Sequence, residues 1–378
     1  MNRGFNMKKY NGISYLKLLL TTFVVAHHAF LAFTPTGAGS PIHDGNTTIF
    51  YSYVTLLFDN FFMFTFFFIS GLFAVRSLQN KGSRKYLMNR FIRLGVVFII
   101  AAYSINIIGF YMMEVFKGVD PYFVFGLSNF VVYYEFVVTN FNPAAHLWFL
   151  WVLLLFNIIF VLISPLISKG ESLSKLISKK PLVLVGIMFG LGIILYDLTT
   201  QIYGYDFVTI FGPFSLQIGR VTAYFAIYII GILFGKNGIE NTFIYDNTKS
   251  SKQFVILIVT GVASAIIFSY LLIHSQWTIL SIVGDLLTVV IFTSLTIGLV
   301  TLFVRYVNGE NKFLLLLADH AFMIYILHYA VISSIQGIFY NIDINGLLEG
   351  ILVFILGYGL TIILAYVLRK IPIIRKVT

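Results

Sequence analysis

The chain has 378 residues, of which 59% are hydrophobic and only 11% charged, with a mean hydropathy of +0.92. This composition excludes an ordinary soluble domain, and apolar runs that are continuous rather than alternating exclude a closed β-barrel. The absence of cysteine removes thiol catalysis, disulfides and cysteine-ligated metals, while the net charge of +10 carries no reading toward nucleic acid, because where the charges lie matters more than their sum.

Ten runs reach the roughly 20 residues needed to cross a hydrocarbon core. They are 13–34, 50–75, 91–113, 146–167, 181–199, 213–235, 253–273, 278–304, 313–339 and 346–368. The expected fold is therefore all-α: a polytopic integral membrane helix bundle of about ten transmembrane helices, forming one membrane domain over 1–378 with no appended soluble domain. The basic start lacks a small-residue cleavage site, so the first run reads as a retained helix. With both termini cytoplasmic, the inner segments are 1–12, 76–90, 168–180, 236–252, 305–312 and 369–378. They hold Lys8, Lys9, Lys81, Arg84, Lys85, the lysines between Lys169 and Lys180, Lys236, Lys249, Lys252, Arg305, Lys312, Arg369, Lys370, Arg375 and Lys376. The outer segments hold only Lys117, the bias that the positive-inside rule requires. Segment 122–140 is apolar but carries Asn129 and Glu135, and counting it as a span would break this pattern. It is expected to be a re-entrant or surface element on the outer side.

The first span carries a polar stripe. Lys17 and His28 are eleven residues apart, which on an α-helix is about three turns, ~20° out of line and roughly 16 Å of rise. Ionisable groups inside a membrane are costly and are functional candidates by default, although Lys17 can also snorkel to the interface and a histidine can sit neutral against other helices. The second span ends in Phe66-Phe67-Phe68-Ile69-Ser70-Gly71 and is followed by Arg76. Arg90 and Arg93 then share one face at the start of the third. Cations at a helix N-terminus oppose its dipole, and paired arginines suit phosphate; the plainer reading is a positive-inside or headgroup contact. His146 and Trp148 open the fourth span, where interfacial anchoring also accounts for Trp148. Arg220, in Gly219-Arg220-Val221 of the sixth span, needs an anion or several carbonyls. Tyr325 and His328 share a helical face among apolar neighbours, as a reactive pair or a structural one. Asp285 and His320 belong to no motif and read as polar glue. Phosphate-loop, zinc-peptidase and nucleophile-elbow signatures are absent, and the histidines lack metal-ligand spacing, with His27 and His28 about 100° apart on their helix.

Taken in order, Lys17/His28, Phe-Phe-Ile-Ser-Gly, Arg90/Arg93, His146-Leu147-Trp148-Phe149-Leu150 and Tyr325-Ile326-Leu327-His328 resemble membrane acyltransferase family 3, nearest the branch of the glucan biosynthesis protein C type. The resemblance spans nearly the whole chain. It implies a multi-pass enzyme, expected in a bacterial cytoplasmic membrane, that moves an acetyl or succinyl group from cytoplasmic acyl-CoA to a hydroxyl of an extracytoplasmic glycan. No permanently bound cofactor or metal is expected. The partners would be acyl-CoA, a glycan acceptor, membrane lipid and, where this chain does not finish the transfer itself, a separate extracytoplasmic transferase. His28 would act as base or acyl carrier with Lys17, Asp59, Tyr325 and His328 around it. Arg76, Arg90 and Arg93 would hold the donor's phosphates, and His146, Trp148 and Arg220 would shape the acceptor pocket. Two departures stand out. Lys17 replaces the family's usual arginine, keeping charge but losing the bidentate fork. Phe64 stands where the more widespread version of the family is acidic, so Asp59, at a depth similar to His28, is expected to orient that histidine or else to face water near the mouth. A glycan transporter and a non-catalytic membrane subunit share the composition but not the ordered motifs.

Overall fold

The computed structural model describes residues 10–119, 124–246, 252–274 and 280–378. Lys8, Lys9 and Lys249 of the basic segments, and the first residues of the run 278–304, lie outside them. Ten helices among the described residues are long and apolar enough to cross a membrane: α1 Asn11–Leu31, α2 Ile49–Lys81, α3 Ser83–Lys117, α4 Ala145–Lys169, α5 Pro181–Tyr203, α6 Ile218–Gly235, α7 Lys252–His274, α8 Ile282–Tyr306, α9 Lys312–Phe339 and α10 Gly346–Leu368. All ten expected spans are present, and the chain is an all-α polytopic membrane bundle.

Helix ends follow local chemistry. The Thr48, Asn311 and Asn345 side chains accept backbone N–H groups at the starts of α2, α9 and α10, and Gly118 closes α3 in the left-handed conformation. The sixth span begins five residues later than the sequence suggests. Phe214-Ser215-Leu216-Gln217 alternates with period two and pairs antiparallel with Phe207–Phe211 as a hairpin, turned at Gly212 with φ +49°. Segment 122–140 contains the helix Leu127–Asn140, whose 14 residues rise about 21 Å and cannot cross a core of about 30 Å. Leu127, Val131, Val132 and Phe136 on it are exposed, as befits a surface element beside lipid.

The core of the bundle is α1, which packs on α2, α8, α9 and α10. Where helices must touch backbone to backbone the sequence places glycine. A Cβ on Gly231 or Gly235 of α6 would strike the carbonyls of Phe68 and Leu72 in α2, and one on Gly109 of α3 would strike Ala330 of α9. Lipid offers no hydrophobic drive between helices, so such close van der Waals contact is what holds α2 to α6 and α3 to α9.

The basic segments meet at one end of the bundle. Tyr10 donates to Glu240 at 2.7 Å, Arg76 pairs with Glu240 at 3.6 Å, Lys236 pairs with Glu171 at 3.0 Å, Arg305 donates to the carbonyl of Ile244 at 2.8 Å, and Arg93 donates to the carbonyl of Thr378 at 3.0 Å. Burial and the bond to Glu240 push the Tyr10 phenol up to about 12, so it remains a donor. The opposite end gathers the hairpin, the helix Leu127–Asn140 and the loops: Asn46 donates to the carbonyl of Ile342 at 3.3 Å and Asn341 to that of Lys117 at 2.7 Å.

Candidate functional site

At the hairpin end a cavity of about 560 Å³ opens among α1, α2, α4, α9 and the hairpin. Its wall includes His27, His28, Asp59, His146, Trp148, Tyr205, Phe207, Tyr325 and Tyr329, so residues from five chain segments far apart in sequence converge there.

Three imidazoles form its centre. Ring centroids of His28 and His328 are 5.3 Å apart, those of His146 and His328 4.5 Å, and those of His28 and His146 6.1 Å, with the Tyr329 ring 4.8 Å from His28 and 5.0 Å from His146. A carbonyl oxygen only accepts, so the contacts to Tyr325 fix two tautomers. His146 donates through Nε2–H at 3.0 Å and His328 through Nδ1–H at 2.7 Å, both to the carbonyl oxygen of Tyr325. The remaining nitrogens, Nδ1 of His146 and Nε2 of His328, are buried with no partner, and Nδ1 of His28 is in the same condition. Buried polar atoms are nearly always satisfied, so three lone ring nitrogens in one cluster mark a place built to receive something. His27 instead donates to the carbonyl of Thr55 at 3.2 Å. Among the described residues, no three His, Cys, Asp or Glu side chains are arranged to hold a metal ion.

The backbone around these rings is held by buried side chains. Tyr325 donates its hydroxyl to the carbonyl of His146 at 2.6 Å, and Gln336 donates to the carbonyls of His28 at 3.0 Å and Ala29 at 3.3 Å. Trp148 stacks on Tyr224 at 5.8 Å and meets Phe207 edge-on at 5.7 Å, an aromatic wall under the hairpin.

Asp59 does not orient His28. Its carboxylate accepts from Arg220 at 2.7 Å in an ion pair, whereas the rings beside His28 are those of His27, His328, His146 and Tyr329. The cause is the break in α2. Helix Ile49–Asp59 stops at Asn60, whose amide bonds back to Leu56, and the chain resumes at Phe62, turning Asp59 toward α6. Arg220 thus stands behind Asp59 and outside the cavity lining, with the Tyr205 ring 5.6 Å from its guanidinium. Tyr205 in turn donates to Asp285, which also accepts from Thr200 at 2.7 Å and Gln201 at 3.1 Å.

Lys17, Arg76, Arg90 and Arg93 lie at the basic end, away from the histidines. Lys17 is exposed, with its Nζ 5.9 Å from the Phe73 ring, on the side of the bundle that carries Arg90 and Arg93. Arg90 lies over Tyr86 at 5.2 Å and Arg93 over Phe322 at 5.8 Å. Arg76 is ion-paired with Glu240 and Arg93 donates to the main-chain oxygen of Thr378, whereas among the described residues no ion pair holds Lys17 or Arg90. Cations gathered at one end of the bundle favour an anion beside them.

The site residues that sequence reasoning missed are His27, Tyr205, Tyr329, Gln336 and Asn106, whose amide grips the turn before His146. An intramembrane Asn or Gln is itself a signal, because its amide demands partners in lipid. The aromatic residues give no such signal in a chain where 17% of residues are aromatic.

A membrane-spanning helix bundle with a buried imidazole cluster at one end and a cluster of cations at the other defines a class: polytopic membrane proteins that do chemistry, or move substrate, within the bilayer. Residues 10–370 match the model of the acyltransferase domain of acyltransferase family 3, and the chain belongs to that family; it is a membrane acyltransferase. No curated protein and no solved structure matches the chain.

Proposed function

We propose that this protein is a bacterial cytoplasmic-membrane O-acyltransferase of the glucan biosynthesis protein C type, its whole chain one membrane domain. It takes an acetyl or succinyl group from cytoplasmic acyl-CoA and esterifies a hydroxyl of an extracytoplasmic glycan. The observation that carries this reading is the group of three partnerless imidazole nitrogens, on His28, His146 and His328, beside a cavity, with Lys17 on the same helix about 16 Å away facing cations. The positive-inside bias supports a cytoplasmic position for the cationic end. There Arg90, Arg93 and Lys17 attract the donor's phosphates, and Arg76, tied to Glu240, borders the same end.

In the cavity a neutral imidazole, His28 in our assignment, accepts the proton of the acceptor hydroxyl as its oxygen attacks the thioester carbonyl. The C–O bond forms, the C–S bond breaks, and the departing thiolate takes a proton, so CoA leaves as thiol. The aromatic wall of Trp148 and Phe207 suits the apolar face of a sugar ring, and Asp59, Tyr205 and Gln217 offer acceptors and donors for its hydroxyls.

The test is purified protein incubated with radiolabelled acetyl-CoA or succinyl-CoA, following free CoA and labelled protein for wild type and His28→Ala. Histidine-dependent CoA release is expected. A folded protein that releases none with either donor would favour the glycan transporter.

A further inference from the structure

The turn that presents His146 is built against local preference. Ala145, immediately before it, has φ +45°, the only non-glycine residue with positive φ among the described residues. L-residues other than Asn and Asp rarely adopt this conformation, and it persists only where neighbours over-determine it. On its C-terminal side the restraint is the exchange of bonds between His146 and Tyr325. On its N-terminal side the restraint that reaches in from another helix is one side chain. Asn106 of α3, wholly buried, donates through Nδ2 to the carbonyl oxygens of both Pro143 at 2.8 Å and Ala144 at 3.1 Å.

Asn106 ends a π-helical stretch, Ala101–Asn106. The extra residue per turn rotates the remainder of α3, and such insertions recur at functional sites. Its amide serves this one purpose, since Oδ1 is buried without a partner. A residue present merely to dissolve polarity would satisfy both ends of its amide. Asn142 reinforces the turn by accepting the N–H of Ala144 at 2.9 Å.

We infer that Asn106 is a positioning residue for His146: it clamps two consecutive carbonyls, holds Ala145 in its strained conformation and so aims the His146 ring at the cavity. The inference rests on the proposed role of the histidine cluster in acyl transfer. Asn106 stands outside the cavity lining, so its loss acts on turnover and leaves donor binding at the basic end alone.

The experiment compares full-length wild type, Asn106→Leu, which keeps the volume and removes both donors, and Asn106→Ser, which cannot overfill the site and is too short to reach both carbonyls. CoA release gives kcat and KM for acyl-CoA, and hydrogen-deuterium exchange read by mass spectrometry gives local protection. The expected result is a kcat at least tenfold lower, a donor KM within twofold of wild type, and faster exchange confined to 142–148. Wild-type kcat with unchanged exchange overturns the inference, as does exchange that rises across the whole bundle. If wild type itself releases no CoA, the transferase reading fails, and the exchange result alone decides the clamp: local loosening upholds it and unchanged protection rejects it.

Discussion

The Tyr325 hydroxyl donates to the carbonyl oxygen of His146 while the His146 imidazole donates to the carbonyl oxygen of Tyr325, so two residues 179 positions apart hold each other by a reciprocal pair of bonds. The same Tyr325 carbonyl takes the Nδ1 proton of His328. One peptide oxygen therefore sets which nitrogen of each imidazole is left bare, which decides whether the ring can take up a proton or give one.

Because the tautomers depend on the Tyr325 backbone, removing its hydroxyl should not scramble them. Tyr325→Phe loses the tether to His146 and leaves that carbonyl unsatisfied, at a cost of about 1–3 kcal/mol in stability. The expected result is a lowered thermal midpoint with a kcat reduced by less than about tenfold, whereas removing an acid–base imidazole costs about 10²–10⁴. CoA-release kinetics on Tyr325→Phe and His146→Ala side by side would test this. Equal losses would mean that the phenol itself takes part in the chemistry.

The Asp59–Arg220 pair makes a sharper prediction for stability than for rate. Arg220 is 8% exposed, and its one ion pair among the described residues is with Asp59. Asp59→Asn leaves a largely buried cation uncompensated; breaking a fully buried pair costs about 3–5 kcal/mol, and the cavity exposure of Asp59 lowers the expected loss to about 1–3 kcal/mol. Asp59→Asn should unfold at clearly lower temperature than wild type. Adding Arg220→Gln should restore much of the loss, because the double variant buries no charge. Thermal unfolding in detergent, arranged as a double-mutant cycle, measures the coupling; additive losses would show that the two side chains do not depend on each other.

Lys17 tests the cationic end. Lys17→Met removes one of the cations at that end and should raise the KM for acyl-CoA several-fold with little change in kcat. Lys17→Arg supplies a planar fork that can grip an anion with two parallel bonds, and should lower that KM below wild type. Steady-state kinetics at fixed ionic strength would decide it. A kcat effect with unchanged KM would place Lys17 in the chemistry rather than in donor binding.

The spans were legible because crossing lipid demands long uninterrupted apolar helices, and nothing else in a cysteine-free chain of this hydropathy competes with that demand. The basic segments were legible for the same reason, and the structure gathers them at one end of the bundle. His28, His146 and His328 could each be named as candidates, but their meeting could not, since it depends on α1, α4 and α9 converging. The partner of Asp59 was misread because depth was counted along a continuous helix, and the break at Asn60 turns the carboxylate away from His28. Asn106 announces itself only as an intramembrane amide in need of partners; which partners could not be read, because they are backbone carbonyls, which every sequence contains.

Ala145 gives the most direct test of strain at the site. A left-handed backbone costs a non-glycine residue roughly 1–2 kcal/mol, and glycine forfeits about 0.5–1 kcal/mol of that advantage through its freer unfolded chain. Ala145→Gly should therefore stabilise the protein by about 0.5–1 kcal/mol, and because Asn106 and Tyr325 still grip both flanks, its kcat should stay within twofold of wild type. Ala145→Val should do the opposite. A β-branched side chain resists positive φ and would also intrude on the cavity that Ala145 lines, so both the thermal midpoint and kcat should fall. Thermal unfolding and CoA release on the two variants provide the measurements. A destabilised Ala145→Gly would show that the turn is not strained, and that His146 owes its place to something other than the clamp.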